Sequence, residues 1–252
     1  MGPTVRRDLS KRSRDLLVVL LTATSGAVDA ACFLHLGHVF ATVVTGTMVL
    51  LGVAAGTHDP SLAIHCGVSL GSYICGVAAG AQIAVGFGGR RSAGTAGTRA
   101  TWPPAVTVAL AAEFCVLAAF CVAWELQSGR PHAAGQLVLL TLVAAAMGMQ
   151  SAAVRQLGDM STTYLTGTLT GVVEGLTTGR KPDGLARSLG ALAALIVGAL
   201  ISATVTAHVP GWLPLVVLLP LAVVLAVSGP VVIRRVVRSG HPDRRGKAGR
   251  PG

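Results

Sequence analysis

Residues 25–52 read "SGAVDAACFLHLGHVFATVVTGTMVLLG". The stretch is almost wholly apolar, yet Asp29 stands inside it and the triplet Thr45-Gly46-Thr47 follows. A carboxylate in the middle of an apolar span costs roughly 2.5–3.5 kcal/mol on insertion scales. Asp29 must therefore face protein or water. Two readings fit: a substrate or proton site, or a structural acceptor that caps a broken helix start near Gly37. The triplet also has two readings. Glycine permits a backbone break and threonine hydroxyls can satisfy the freed carbonyls or line a polar cavity. Small residues can instead serve close helix packing.

The rest of the chain sets the class. Of 252 residues, 52% are hydrophobic and 12% charged, with a mean hydropathy of +0.68. Soluble domains carry about 25% charged residues. Eight apolar segments can be marked, at 16–36, 39–56, 61–87, 104–126, 135–154, 162–178, 185–208 and 212–233. Several reach the ~20 residues a spanning helix needs, and none shows the alternation of a transmembrane strand. The fold class is all-α, a polytopic transmembrane helix bundle whose first partner is the lipid bilayer. The net charge of +10 lies between and outside the apolar segments, where it acts as a topology signal and not as a nucleic-acid surface.

One internal repeat organises the chain. "DAACFLHLGHVFATVVTGTM" (29–48) aligns with "QSAAVRQLGDMSTTYLTGTL" (150–169) at an offset of 121 residues. Thr45-Gly46-Thr47 falls on Thr166-Gly167-Thr168, Thr42 on Thr163 and Asp29 on Gln150. Charge then selects a topology. If all eight segments cross, four of the 20 basic residues lie outside; if 39–56 and 162–178 enter and leave on one side, 19 lie inside and only Arg130 lies outside. The second arrangement gives six spans plus two short broken or re-entrant segments. Each half then has three spans, so the halves are inverted pseudo-repeats, an architecture recurrent in transporters. Eight full spans is the alternative. The implied organisation is a basic cytoplasmic N-terminus at 1–15, a transmembrane domain at 16–235 with halves at about 16–126 and 135–233, and a basic, disordered tail at 236–252.

Candidate residues follow from this frame. The substrate- or ion-binding set is Asp29, Thr45, Gly46, Thr47, Gln150, Thr166, Gly167 and Thr168. Asp29, Glu113 and Glu174 are candidate proton carriers; Glu174 has the plain alternative of pairing with Arg180 or Lys181. Arg155 reads as an inside anchor. Gly67, Gly71, Gly76 and Gly80 form two small-xxx-small pairs for helix packing. The five cysteines (32, 66, 75, 115 and 121) read as small buried apolar residues. His35, His38, His58 and His65 cluster without a metal-ligand spacing and read as interface residues. No metal, cofactor or catalytic set is expected, and the chain is not read as an enzyme.

The stretches "SGAVDAACFL…GHVFATVVTGTMVLLG" and "AMGMQSAAVRQLGDMSTTYLTGTLTGVVEGL" (146–176) resemble the two signatures of the YoaK-like proteins, a bacterial inner-membrane family of unknown function. The resemblance covers about residues 16–235. It implies a multi-spanning protein of the bacterial cytoplasmic membrane and names no substrate. Position 47 departs from it: the family pattern implies Thr-Gly-Asn, and here the residue is Thr47. With both termini inside, the functional expectation is a small secondary transporter or permease for a small polar solute or ion, coupled to protons. A non-transporting membrane scaffold is the alternative, and homo-oligomerisation stays open.

Overall fold

The computed structural model describes residues 3–88, 103–157, 165–178 and 185–239. It contains α1 (Pro3–His35), α2 (Val44–Thr57), α3 (Pro60–Gly88), α4 (Pro104–Leu126), α5 (Ala133–Arg155), α6 (Leu165–Thr177), α7 (Leu185–His208) and α8 (Leu213–Ser239). A single 3-10 turn at Pro210–Trp212 leads into α8, and no strand occurs among the described residues. Helix boundaries follow local chemistry. Pro60 and Pro104 occupy first helical positions, where a missing N–H costs nothing. The Asp59 carboxylate accepts the Leu62 N–H at 3.0 Å and caps α3. Beyond α1, Gly37 (φ +90°) and His38 (φ +58°) adopt left-handed backbone and reverse the chain.

Among the described residues, six helices are long and apolar enough to cross a membrane. The 14 residues of α2 and the 13 of α6 extend only about 20 Å each at 1.5 Å per residue, short of the ~30 Å hydrocarbon core. The segments that the charge count set apart are thus short helices among the described residues, which favours six spans plus two short helices over eight full spans. The basic N-terminal stretch continues α1 back to Pro3, a conformation that the sequence reading left open. Two expectations need adjustment. Helix α8 runs on to Ser239, so the start of the basic tail is helical, while 240–252 lie outside the described residues. Cys75 and Cys115 are exposed, unlike the buried Cys32, Cys66 and Cys121; helices α3 and α4 turn the first two outward, where a thiol is as tolerable as any apolar group.

Helix α5 is central. Its residues 139–154 are largely buried, and with Leu21, Leu36, Leu110, Leu117, Phe120 and Trp124 they form the core. Two close crossings frame it. A Cβ on Gly26 would fall on the Leu195 carbonyl, and one on Gly198 on the Ala23 carbonyl, so α1 and α7 touch backbone to backbone. In the same way Gly148 abuts the Tyr73 carbonyl and Gly76 the Ala145 carbonyl, joining α5 to α3. The two crossings match residue for residue at a separation of 122: Ala23 with Ala145, Gly26 with Gly148, Tyr73 with Leu195, Gly76 with Gly198. Only Gly76 and Gly80 of the four α3 glycines pack; Gly67 and Gly71 meet nothing within 4 Å.

Direction is fixed by polar contacts. On the N-terminal side of their crossing, α1 and α7 are joined by Asp15 and Arg187 at 3.1 Å, and they meet again at the glycines, so they run the same way. Helices α3 and α5 also run together, from the glycine crossing to the contact of Gly80 with Ala152. Between the pairs the sense is opposite. Arg14 donates to the Leu157 carbonyl (3.3 Å) and Gln150 donates to the Leu21 carbonyl (3.1 Å), so α1 and α5 are antiparallel.

Candidate functional site

The reversal at Gly37-His38 returns the chain to the flank of α1, and Asp29 receives it there. Its Oδ1 accepts the N–H groups of Ala41 (2.9 Å) and Thr42 (2.8 Å), and its Oδ2 accepts the Thr42 hydroxyl. Asp29 is buried, and all three of these donors are neutral. The carbonyl of Phe40, freed by the absence of helix, is satisfied twice: by Thr47 Oγ1 (2.9 Å) and by Ser69 Oγ of α3 (2.8 Å). Segment 36–43 is therefore irregular backbone whose polar groups are met by protein, the condition for such backbone inside a membrane.

The first triplet has a more definite place than a helix break. Thr45-Gly46-Thr47 opens α2, and the interruption lies before it. Thr47 is buried and ties the loop to the helix, whereas Thr45 is exposed. A Cβ on Gly46 would come within 3.2 Å of Val43 Cγ1 and 3.5 Å of the Phe40 ring, so Gly46 makes room for the loop's own side chains. The second triplet likewise opens α6. Gly167 faces open space there, and the side chains of Thr166 and Thr168 lie outside the described residues, as do Thr163, Arg180 and Lys181. Glu174 is exposed.

Gln150 is buried on α5 and donates to the Leu21 carbonyl and to Ser25 Oγ, both at 3.1 Å. Leu21 precedes Asp29 by eight residues, about 12 Å along the helix, so Gln150 and Asp29 engage α1 at different depths. At the crossing register of 122 the counterpart of Asp29 is Ser151, which accepts the Tyr73 hydroxyl at 2.9 Å. The alignment at 121 placed Gln150 there because it was anchored on the triplets; the crossings and the triplets differ in register by one residue.

Glu113 stands apart. It is fully buried on α4 among Ala109, Leu110 and Leu117, and neither carboxylate oxygen has a partner among the described residues. An unsatisfied buried polar group costs about 1–3 kcal/mol. Replacing Glu113 by leucine should therefore raise stability or leave it unchanged, read as the unfolding temperature in detergent. A clear fall would mean that the carboxyl has a structural partner. Arg155, at the end of α5, is exposed, as an anchor would be.

Two cavities flank the loop. One, of about 360 Å³, is lined by His35, His38, His65, Asp59 and Gln136. His65 Nδ1 donates to the Ser61 carbonyl at 2.7 Å, and the Nε2 atoms of His35 and His65 are buried without hydrogen-bond partners among the described residues. Gly37 leaves room for the His65 ring, which a Cβ would strike. No group of three His, Cys, Asp or Glu among the described residues could hold a metal ion. The other cavity, of about 560 Å³, lies between α1 and α7 and contains Asp29. Residues 67–71, Gly-Val-Ser-Leu-Gly, spell the pattern of a hydrolase nucleophile elbow. They lie in continuous helix, with Ser69 donating to Phe40, and so lack the strand-to-helix turn that exposes such a serine.

Sequence reasoning singled out Asp29 and both triplets but missed the donors that hold Asp29, the role of Ser69 and the stacking of Phe33 on Phe40 (5.4 Å between centroids). Thr42, paired with Thr163 by the repeat, was the one available signal.

Comparison with known proteins places the chain. Residues 17–228 match the model of a family described as "Protein of unknown function (DUF1275)". The chain is 36% identical over 164 residues to the UPF0700 transmembrane protein YoaK of Bacillus subtilis (strain 168), covering 64% of this chain and 66% of that relative, slightly under two thirds of its length. No solved structure matches.

Proposed function

The chain belongs to this DUF1275 family of membrane proteins, and from that premise we propose that it is a small secondary transporter or permease of the bacterial cytoplasmic membrane, with both termini on the cytoplasmic side and no enzymatic activity. The observation that carries the reading is Asp29: a buried carboxylate inside a span, held by neutral donors alone beside a cavity. Buried ionisable groups in spans mark ion and substrate paths more often than packing. The matched glycine crossings and the opposed directions of the two helix pairs support inverted halves that could rock about the midplane. In this scheme Asp29 takes up and releases a proton as access alternates, and Glu113 is a second proton station. The full satisfaction of Asp29 by the loop favours a second reading, a scaffold in which the carboxylate only anchors 36–43.

Proteoliposomes with a trapped pH dye separate the two. A panel of alkali cations, amino acids and quaternary ammonium ions is added outside. The transporter reading expects at least one solute to drive proton movement, and expects that movement to vanish in a folded Asp29→Asn variant. Silence across the panel, or equal movement in the variant, supports the scaffold.

A further inference from the structure

The cavity beside Asp29 has a composition that selects a ligand. Its walls are the aromatic pair Phe33 and Phe40, stacked at 14° between ring planes, and the α7 residues Ile196, Ala199 and Leu200. Among the described residues Asp29 is the one ionisable residue lining it. Among the described residues the two ion pairs both involve Asp15, so no cationic side chain neutralises Asp29. A small polar solute would lose its water here and find almost nothing to hydrogen-bond. An organic body fits the walls, and a positive centre would lie beside the Asp29 carboxylate, which the loop holds, and against the aromatic pair. The cavity opens beside exposed apolar residues of two spans, including Phe33, Ile196 and Leu200, which places its mouth against lipid acyl chains.

We propose that the groove between α1, α7 and the loop before α2 binds lipophilic cations, which enter sideways from the bilayer. The inference deepens the transporter reading and rests on it for the consequence of binding. One cation arriving at a protonated Asp29 displaces one proton from a carboxylate oxygen to water. Its departure lets one proton return. Charge balances and no electron moves. The groove therefore assigns the substrate class as hydrophobic organic cations, in place of the small polar solute suggested by the sequence.

The test measures binding and does not require transport. Tetraphenylphosphonium is titrated into the full-length protein in lipid nanodiscs, with empty discs as the blank. Saturable binding above the blank is expected. Asp29→Asn, which keeps the shape and an acceptor oxygen, should weaken it by at least about tenfold, a typical loss for a buried charge partner. Ala199→Trp, which fills the groove and leaves the charge intact, should abolish it. Val122→Trp, on an exposed position of α4, should change nothing. Tetraphenylborate, of the same shape and opposite charge, titrated on its own, should show no saturable binding above the blank. No tetraphenylphosphonium binding above the blank overturns the proposal. So does binding unaffected by both groove variants, or equal saturable binding of tetraphenylborate. Binding without proton exchange in the proteoliposomes would remove the transporter reading and leave the site standing. Proton exchange with another solute, and no tetraphenylphosphonium binding, would do the reverse.

Discussion

Replacing Gly198 by leucine is expected to unseat α7 from α1. A Cβ at this position meets the Ala23 carbonyl, and backbone cannot step aside as a side chain can. Overpacking a core typically costs about 1–3 kcal/mol when side chains adjust, so a clash with backbone should exceed that range. The reading is the unfolding temperature and the monodisperse yield of purified protein. Gly76→Leu, against the Ala145 carbonyl, should behave alike. The contrast lies on α3 itself. Gly67→Leu and Gly71→Leu face nothing within 4 Å and should be neutral or stabilising by up to about 1 kcal/mol through better helix propensity. If Gly198→Leu and Gly67→Leu are equally stable, the backbone crossings are wrong.

Asp29→Ala should release the loop. Two N–H groups and one hydroxyl would lose their acceptor at a buried to half-buried position. At about 1–3 kcal/mol for each unsatisfied group, with partial relief by relaxation, a loss of roughly 3–6 kcal/mol is expected. Hydrogen exchange at the amides of Ala41 and Thr42 gives the local signature: slow in the wild type, fast in the alanine variant. Asp29→Asn retains a carbonyl acceptor and should keep most of the protection. Unchanged exchange in Asp29→Ala would mean that the carboxylate does not anchor the segment. The opposite sign is expected for Glu113→Leu because the same residue class at similar burial has three donors in one case and, among the described residues, none in the other.

Much of the fold was legible because membrane spans are written in composition. The boundaries of α4 at 104–126 and α7 at 185–208 coincide with the apolar segments read from sequence. Charge placement separated α2 and α6 from the spans before any length could be measured. The site was legible only in part. Asp29 announces itself by being a carboxylate among apolar residues. Its partners do not, because backbone N–H groups carry no sequence signature and Thr42 is one threonine of many. The packing glycines were misassigned for a related reason. A small-xxx-small pattern says that a close approach is possible on one face, and only the neighbouring helix decides which face it is; α5 chose Gly76 and Gly80 over Gly67 and Gly71. The register slip that moved the counterpart of Asp29 from Gln150 to Ser151 was hidden for the same reason, since the triplets and the crossings are aligned by different residues.

The central claim is that the chain comprises two inverted halves, each with three crossings and one short helix that enters and leaves on one side. Cysteine accessibility in a cysteine-free background tests it most directly. His58→Cys, after α2, and Thr178→Cys, after α6, are probed in intact cells with a membrane-impermeant maleimide, and again after permeabilisation. The account predicts that His58→Cys labels in intact cells, as Arg130→Cys does, and that Thr178→Cys labels only after permeabilisation. Labelling of His58→Cys only after permeabilisation, or of Thr178→Cys in intact cells, would mean that a short helix crosses the membrane, and the inverted halves would be contradicted.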